Sequence, residues 1–200
     1  MQIRNHAAGF NPFSPRLSWF TLVDALVRYE GIGYQSIEVP WAIPPNVVQM
    51  TAPEDAGILF AAHDLALVGS AEQSFLYLAR EGIIRRGRYV AISPCFRLDH
   101  ADHQHQNQFM KVELFATVGV DTDGVDQMIT DARQVFTLLG ARGHRMEVVR
   151  TEEGIDSRDI LINGIEVGSY GIRKINGIEW VYGTGLAEPR FSQVTRGSSL

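Results

Sequence analysis

Between Ser93 and Phe115 the chain reads SPCFRLDHADHQHQNQFMKVELF, and this stretch concentrates side chains able to do chemistry. Arg97 can grip a phosphate with a rigid, bidentate fork. Phe109 offers an aromatic face on which a base can stack. Near them stand Glu113 and a polar run carrying three of the six histidines, His100, His103 and His105, with Asp99 and Asp102. The arginine at one strand end and the aromatic at the next are the parts of a nucleotide site. The histidines and aspartates allow a second reading, a zinc-type metal site, because His103 and His105 alternate and can share one face of an extended chain.

Two strands must position these groups. Arg88 to Arg97 carries Tyr89, Val90, Ile92 and Phe96. Phe109 to Phe115 alternates Val112 and Leu114 with Lys111 and Glu113. The long polar loop between them is costly to order, which marks it as functional or disordered. Upstream, Ser14-Pro15 predicts a helix start, with proline at the first helical position and an apolar periodicity running from Leu17 to Tyr29 before Gly31. A strand from Tyr34 to Val39 follows, stopped by Pro40, and Pro44 and Pro45 keep the next segment extended. Short strands are predicted at Ile58–Phe60 and Leu65–Val68. Ser70-Ala71-Glu72-Gln73 predicts a capping box and a helix reaching Gly82. On composition alone, Glu72 is a first-turn acid favoured by the helix dipole.

Downstream, Gly124 to Gly140 predicts an amphipathic helix, with Val125, Met128, Ile129, Ala132, Val135, Phe136 and Leu139 on its core face. Met146 to Val149 predicts a strand. The last third is rich in hairpins: Asn163-Gly164 and Asn176-Gly177 are tight-turn signals between Ile160–Ile162, Ile165–Ile172 and Ile178–Tyr182. No GxGxxG or GxxxxGK[ST] run precedes a helix. The expected fold is therefore α+β, a mainly antiparallel sheet flanked by helices, in one domain over residues 1–200 with irregular tails at 1–13 and 195–200.

Several of these stretches together resemble the class II aminoacyl-tRNA synthetases, in particular the seryl enzymes and the phenylalanyl alpha chain. Arg97-Leu-Asp99, His105-Gln-Asn-Gln-Phe109 and Lys111-Val-Glu113 resemble motif 2, with Asp99 where most members have glutamate. Gly183-Thr-Gly185-Leu-Ala187-Glu-Pro-Arg190 is similar to motif 3, GxGxGxxR, with Ala187 at the third glycine and Pro189 in the first helical turn. Helix, glycine turn, strand and proline over Ser14–Pro40 resemble motif 1, whose helix and strand usually pair two subunits. Ser70-Ala71-Glu72 resembles the Thr-x-Glu loop, and Glu166-Val-Gly-Ser169 resembles the Glu-x-x-Ser pair of the seryl and pyrrolysyl enzymes. The resemblance covers Ser14 to Val194 with the motifs in order.

The resemblance implies ATP-dependent activation of an amino acid to its adenylate, and hence an adenylate-forming ligase. In that setting Arg97 holds the α-phosphate and the amino-acid carboxylate, and Arg190 holds the γ-phosphate. His105 faces the terminal phosphates, Phe109 stacks the adenine, and Asp99, Glu113, Gly183 and Gly185 complete the ATP site. Glu72, with Ser70, receives the substrate ammonium. Glu166 and Ser169 hold Mg2+.

Bulk composition narrows the partners. Two hundred residues, 45% of them hydrophobic, suffice for one sizeable core. The longest apolar runs are too short to span a bilayer. The N-terminus lacks a signal-peptide core, and the single cysteine, Cys95, permits no internal disulfide. These point to the cytoplasm. A net charge of −5 argues against a broad tRNA-binding surface. The local basic cluster of Arg80, Arg85, Arg86 and Arg88 reads as a solvated helix end and turn. The acceptor of the activated amino acid is thus tRNA or another carrier. The alternative is a synthetase-like paralogue that binds nucleotide, amino acid or a partner protein without charging tRNA. A homodimer is expected through the motif 1 segment.

Overall fold

The structure is a computed structural model that describes residues 17–52, 57–61, 63–98, 107–152 and 154–196. Among the described residues, seven strands form one sheet in the order β1 (Gln35–Ser36), β4 (Arg88–Phe96), β5 (Gln108–Ala116), β9 (Ile178–Glu188), β8 (Ile165–Ile175), β7 (Ile155–Ile162) and β6 (Met146–Arg150). Every pairing is antiparallel except β1 with β4. The expected fold class holds. Both hairpin turns form as the Asn-Gly pairs predict, with positive φ at Asn163, Gly164, Asn176 and Gly177, which these residue types tolerate.

Helices cover both faces of this sheet. On one face, α1 (Trp19–Gly31) and α4 (Thr122–Phe136) bury Leu22, Ala25, Tyr29, Val125, Met128 and Phe136 against Val112, Leu114 and Val181. On the other, α3 (Ala71–Arg80) packs Phe75 and Leu76 over Tyr89, Phe115 and Trp180. Phe75, Phe115 and Trp180 form a stack with centroid separations of 5.1 and 5.8 Å. A small second sheet of β2 (Ala42–Ile43) and β3 (Ala66–Leu67) joins this face with the one-turn α2 (Pro45–Val48). Helix α5 (Arg190–Arg196) follows β9 directly.

Several boundaries differ from the sequence expectation for local reasons. Helix α1 begins at Trp19, because the Ser18 hydroxyl accepts from the Thr21 N–H at 3.3 Å and caps it. The predicted start at Ser14-Pro15 and the tail 1–13 lie outside the described residues. The capping box does not close: Ser70 caps α3, but the Gln73 amide oxygen accepts from Gly69 N–H at 2.8 Å instead of from Ser70. Helix α4 stops at Phe136 and continues as a π-helical turn, Thr137–Ala141, with Gly140 at φ +126°. Ile58–Phe60 forms no strand, only one bridge from Phe60 to Ala66. The tail expected at 195–200 is helical as far as Arg196, beyond which residues are not described. The basic cluster splits. Arg80, Arg85 and Arg86 are exposed, while Arg88 turns inward to pair with Asp131 and lies 4.0 Å from the Tyr34 ring centroid.

Two β-bulges set which side chains face which side. In β9 the register shifts so that Val112 pairs with Leu186 but Glu113 pairs with Thr184, which leaves Gly185 as the extra residue. Tyr29 donates to the Gly185 carbonyl at 2.9 Å, and Tyr170 donates to the Thr184 carbonyl at 2.6 Å. Buried hydroxyls thus satisfy carbonyls around the bulge, as burial demands. Burial pushes the pKa of both tyrosines well above its ordinary value. In β8 the shift between Gly168 and Glu166 makes Val167 the extra residue.

The glycines of this region are required by packing from the helix side. A Cβ at Gly183 would lie 2.6 Å from both Met128 Sδ and Tyr170 Cδ1, and one at Gly185 would lie 2.9 Å from the Tyr29 ring. Gly183→Ala is therefore expected to cost about 1–3 kcal/mol by overpacking, read as a lower urea midpoint. An unchanged midpoint would mean that Met128 and Tyr170 simply move aside.

Candidate active site

Above the sheet, on the α3 side, lies a cleft of about 680 Å³. Its outer end is built from strand ends. Arg97 leaves β4 and donates from Nε to the Gly69 carbonyl at 3.3 Å. Phe109 stands second in β5, and its ring centroid lies 5.3 Å from the Arg97 guanidinium carbon and 5.8 Å from Lys111 Nζ. The ring keeps company with cations, as a base-stacking platform does. Across the cleft, Arg190 opens α5 and pairs with Glu166, 3.5 Å from its carboxylate and 3.3 Å from its carbonyl oxygen.

Glu166 and Ser169 would lie on opposite faces of a regular strand, since they are three positions apart. The bulge at Val167 turns both into the cleft. The bulge at Gly185 does the same for Thr184 and Ala187. A carboxylate with a buried hydroxyl on the same side of the cleft suits magnesium, which takes few protein ligands and completes its shell with phosphate oxygens and water.

The middle of the cleft is organised by Glu113, only 4% exposed. Its Oε2 accepts from the Ser70 hydroxyl at 2.6 Å and from the Glu72 backbone N–H at 3.0 Å. Its Oε1 is 3.7 Å from Lys111 Nζ, and the Cys95 thiol approaches it at 3.7 Å. The carboxylate thus caps α3 from outside the helix, where the dipole and free N–H groups favour an anion. Glu113 thus lines the cleft with the other residues expected at the ATP site while its Oε2 is engaged by the helix terminus. Burial pushes the Cys95 thiol far above its ordinary value, with the Glu113 charge adding to the shift.

At the inner end, Glu72 is buried, accepts from Trp180 Nε1 at 2.8 Å and lies 3.4 Å from Arg173 Nε. Burial raises its pKa, opposed by the Arg173 charge and the Trp180 hydrogen bond. Arg173 also reaches the Thr51 carbonyl at 3.3 Å and stands over the Tyr182 ring, 4.8 Å from its centroid.

The cleft brings together Ser70, Glu72, Arg97, Phe109, Glu113, Glu166, Ser169, Gly183 and Arg190 of the expected set. Gly185 does not line it, and Gly183 contributes backbone only, because both would aim a side chain at the opposite face. The glycine run sits inside β9, and the helix opens only at Arg190. Asp99 and His105, and with them His100, Asp102 and His103 of the metal reading, lie outside the described residues. Among the described residues no cluster of three or more histidine, cysteine or acidic side chains could hold a metal ion by itself. Sequence reasoning missed Arg173, Tyr182, Thr184 and Lys111 as cleft residues. The period-2 spacing of Ser169, Gly171 and Arg173 was the available signal for Arg173.

This is the fold of a class II aminoacyl-tRNA synthetase catalytic domain. The chain is similar to seryl-tRNA synthetase from Pyrococcus horikoshii, solved with ATP, with a TM-score of 0.72, 20% identity, and coverage of 86% of this chain and 48% of that one. Against a pyrrolysyl-tRNA synthetase from Desulfitobacterium hafniense the TM-score is 0.71 at 18% identity, covering 91% of this chain and 70% of that one. In sequence it is 30% identical over 144 residues to the serine–tRNA ligase of Desulfotalea psychrophila, covering 62% of this chain and 33% of that protein. The chain thus spans a third of the length of the curated relative it matches. No protein-family model matches it. No helix among the described residues is long and apolar enough to cross a membrane.

The raised pKa of Glu72 fixes the sign of a pH effect. The folded protein retains a proton that the unfolded chain has released, so this contribution is complete below the ordinary glutamate value of 4.5 and is lost as pH rises toward the folded value. Glu72→Gln removes the titration. The stability of the variant relative to the parent is therefore expected to improve as pH rises from about 4.5. Urea midpoints of both proteins across the acid-to-neutral range check this; a constant gap would contradict it.

Proposed function

We propose that this chain activates an amino acid with ATP and transfers the aminoacyl group to an acceptor, either tRNA or another carrier. Residues 1–200 act as one catalytic unit in this reading. The observation that carries it is the meeting in one cleft of two arginines, a cation-flanked aromatic, a Glu–Ser pair and a buried carboxylate. In the reaction a carboxylate oxygen of the amino acid attacks the α-phosphorus of ATP. A new phosphorus–oxygen bond forms, the bond to the bridging oxygen of the β-phosphate breaks, and pyrophosphate leaves with that electron pair. Positioning and charge neutralisation carry such a step.

Arg97 spans the α-phosphate and the attacking carboxylate, Phe109 stacks the adenine, and Glu72 takes the α-ammonium. Arg190 exchanges Glu166 for the γ-phosphate. Glu166 and Ser169 hold Mg2+, which supplies neutralisation of the phosphate charge. Asp99 and His105 keep the phosphate-side roles that the resemblance implies. Glu113 acts indirectly, by holding Ser70 and Glu72 in place. The net charge of −5 favours an acceptor that needs no broad basic surface, and the same charge supports the second reading, a paralogue that binds nucleotide without charging tRNA. The cytoplasm is the expected compartment.

ATP–pyrophosphate exchange with each of the twenty amino acids tests the reading. Arg97→Ala and Arg190→Ala are each expected to lower exchange by 10²-fold or more, about 3 kcal/mol of transition-state stabilisation, with unchanged melting temperatures. Phe109→Ala is expected to weaken ATP binding by about 1–3 kcal/mol, measured by calorimetry. Parental exchange in both arginine variants would remove the assignment.

A homodimer through α1 belongs to the same reading. Trp19, Val23 and Val27 recur at helical spacing and are about half exposed, and Phe20 beside them is 92% exposed. Such a stripe on a surface helix suits a partner. Ile37, by contrast, packs into the core beside α3 and is unsuited as an interface probe. Sedimentation is expected to show a dimer, and Phe20→Glu to shift it to monomer with the fold retained. A parent protein that sediments as a monomer at micromolar concentration would rule the dimer out.

A further inference from the structure

The inner end of the cleft carries two buried hydrogen-bond donors that find no carboxylate or carbonyl acceptor in good geometry within the protein. Arg173 Nε and the Tyr182 hydroxyl are buried with no carboxylate or carbonyl acceptor in hydrogen-bond geometry; the side-chain contacts of the Tyr182 hydroxyl are with Arg173 and the Ser169 hydroxyl. Arg173 and Tyr182 come from adjacent strands, β8 and β9, and both residues line the cleft. Buried donors left unpaired cost free energy, so such groups in a native protein call for an acceptor. A closed Glu72–Arg173 pair would not leave this pattern, because its Nε would be hydrogen-bonded to the carboxylate. Instead it stands 3.4 Å away, at ion-pair distance but outside hydrogen-bond geometry.

The arrangement is built into the strands. A Cβ at Gly171 would lie 2.8 Å from Tyr182 Oη and 3.0 Å from Cζ, so only glycine lets the ring lie across β8. The Arg173 guanidinium then covers that ring. Arg97 serves a different location. It follows Phe96, whose partner on β5 is Gln108, whereas Arg173 pairs with Trp180, next to the Val181 that pairs with Ala116 at the other end of β5. The two arginines do not compete for one anion. Glu72 lies beside Arg173 and is the nearby acceptor for a cation.

We propose that the cleft selects a dicarboxylic amino acid, aspartate or glutamate, whose side-chain carboxylate is received by Arg173 and Tyr182. This rests on the adenylate-forming reading and names its substrate class. The α-ammonium faces Glu72, and the second carboxylate enters the donor cluster beside it. A planar carboxylate takes two donors on each oxygen and suits the fork of an arginine. A neutral side chain would leave the same donors buried and unpaired, which is the condition for strong rejection.

The test is ATP–pyrophosphate exchange driven by each of the twenty amino acids, followed by two variants. Aspartate or glutamate is expected to exceed asparagine, glutamine, serine and alanine in kcat/KM by on the order of a hundredfold or more. Arg173→Met is expected to lower kcat/KM for the acidic substrate by about a hundredfold while the KM for ATP holds. Because that variant strips Glu72 of its counter-charge, Tyr182→Phe provides the second measurement. It removes one hydroxyl and is expected to lower the same ratio by about tenfold, with an unchanged melting temperature. Exchange driven best by a neutral amino acid overturns the proposal and leaves adenylate formation standing. So does acidic exchange that neither variant alters. Absence of exchange with every amino acid removes the adenylate reading and this proposal together.

Discussion

The buried carboxylate of Glu113 at the N-terminus of α3 is the contact on which the cleft depends. It lies on a central strand, yet two of its hydrogen bonds go to Ser70 and Glu72 on a helix some forty residues earlier in the chain. A charged acceptor bonded to free helix N–H groups is stronger than a neutral one and gains from the helix dipole. The contact locks the start of α3 against β5, and three other placements follow. Glu72 is set facing Trp180 and Arg173. The Gly69 carbonyl is set where Arg97 donates to it. Gln73 bridges from Gly69 to the Val48 carbonyl and so ties in α2.

The strands supply the other half of the cleft, and they do so by breaking regularity twice. A regular sheet sends alternate residues to opposite faces. Here one extra residue in β8 and one in β9 bring Glu166 with Ser169, and Thr184 with Ala187, to the same side. Tyr29 and Tyr170 answer the irregularity with hydroxyls to the Gly185 and Thr184 carbonyls. The glycines of the motif 3 stretch belong to this support. They admit tyrosine rings and Met128 from the helix side and leave the cleft side to Thr184 and the backbone.

The electrostatics divide along the cleft. At the outer end, Arg97 and Lys111 stand near Phe109, and Arg190 faces Glu166. Such an end suits a polyphosphate and a base. At the inner end, a buried glutamate with a raised pKa meets a single arginine and a tyrosine hydroxyl that has no carboxylate or carbonyl acceptor. Such an end suits a small ligand bearing both signs of charge.

Much of this was legible in the order of the residues. The Asn-Gly turns, the alternation in Phe109–Phe115 and the absence of a phosphate loop led to an antiparallel sheet with helices, because turn chemistry and period are local properties. Arg97, Phe109, Glu166, Ser169 and Arg190 could be named because residue type and motif spacing survive without coordinates. What required the tertiary structure was direction. Whether Glu166 and Ser169 share a face depends on a bulge whose register is set by β7, not by their own spacing. Whether Glu113 engages a helix terminus depends on where α3 lands. Gly183 and Gly185 owe their identity to Tyr29, Met128 and Tyr170 on other elements. The sequence by itself determined which chemical groups this protein carries and the strands and helices that bear them. Only the packing of distant elements decided which groups meet and which are already spoken for, because a side chain's partners are set by sheet register and helix docking, which no local pattern encodes.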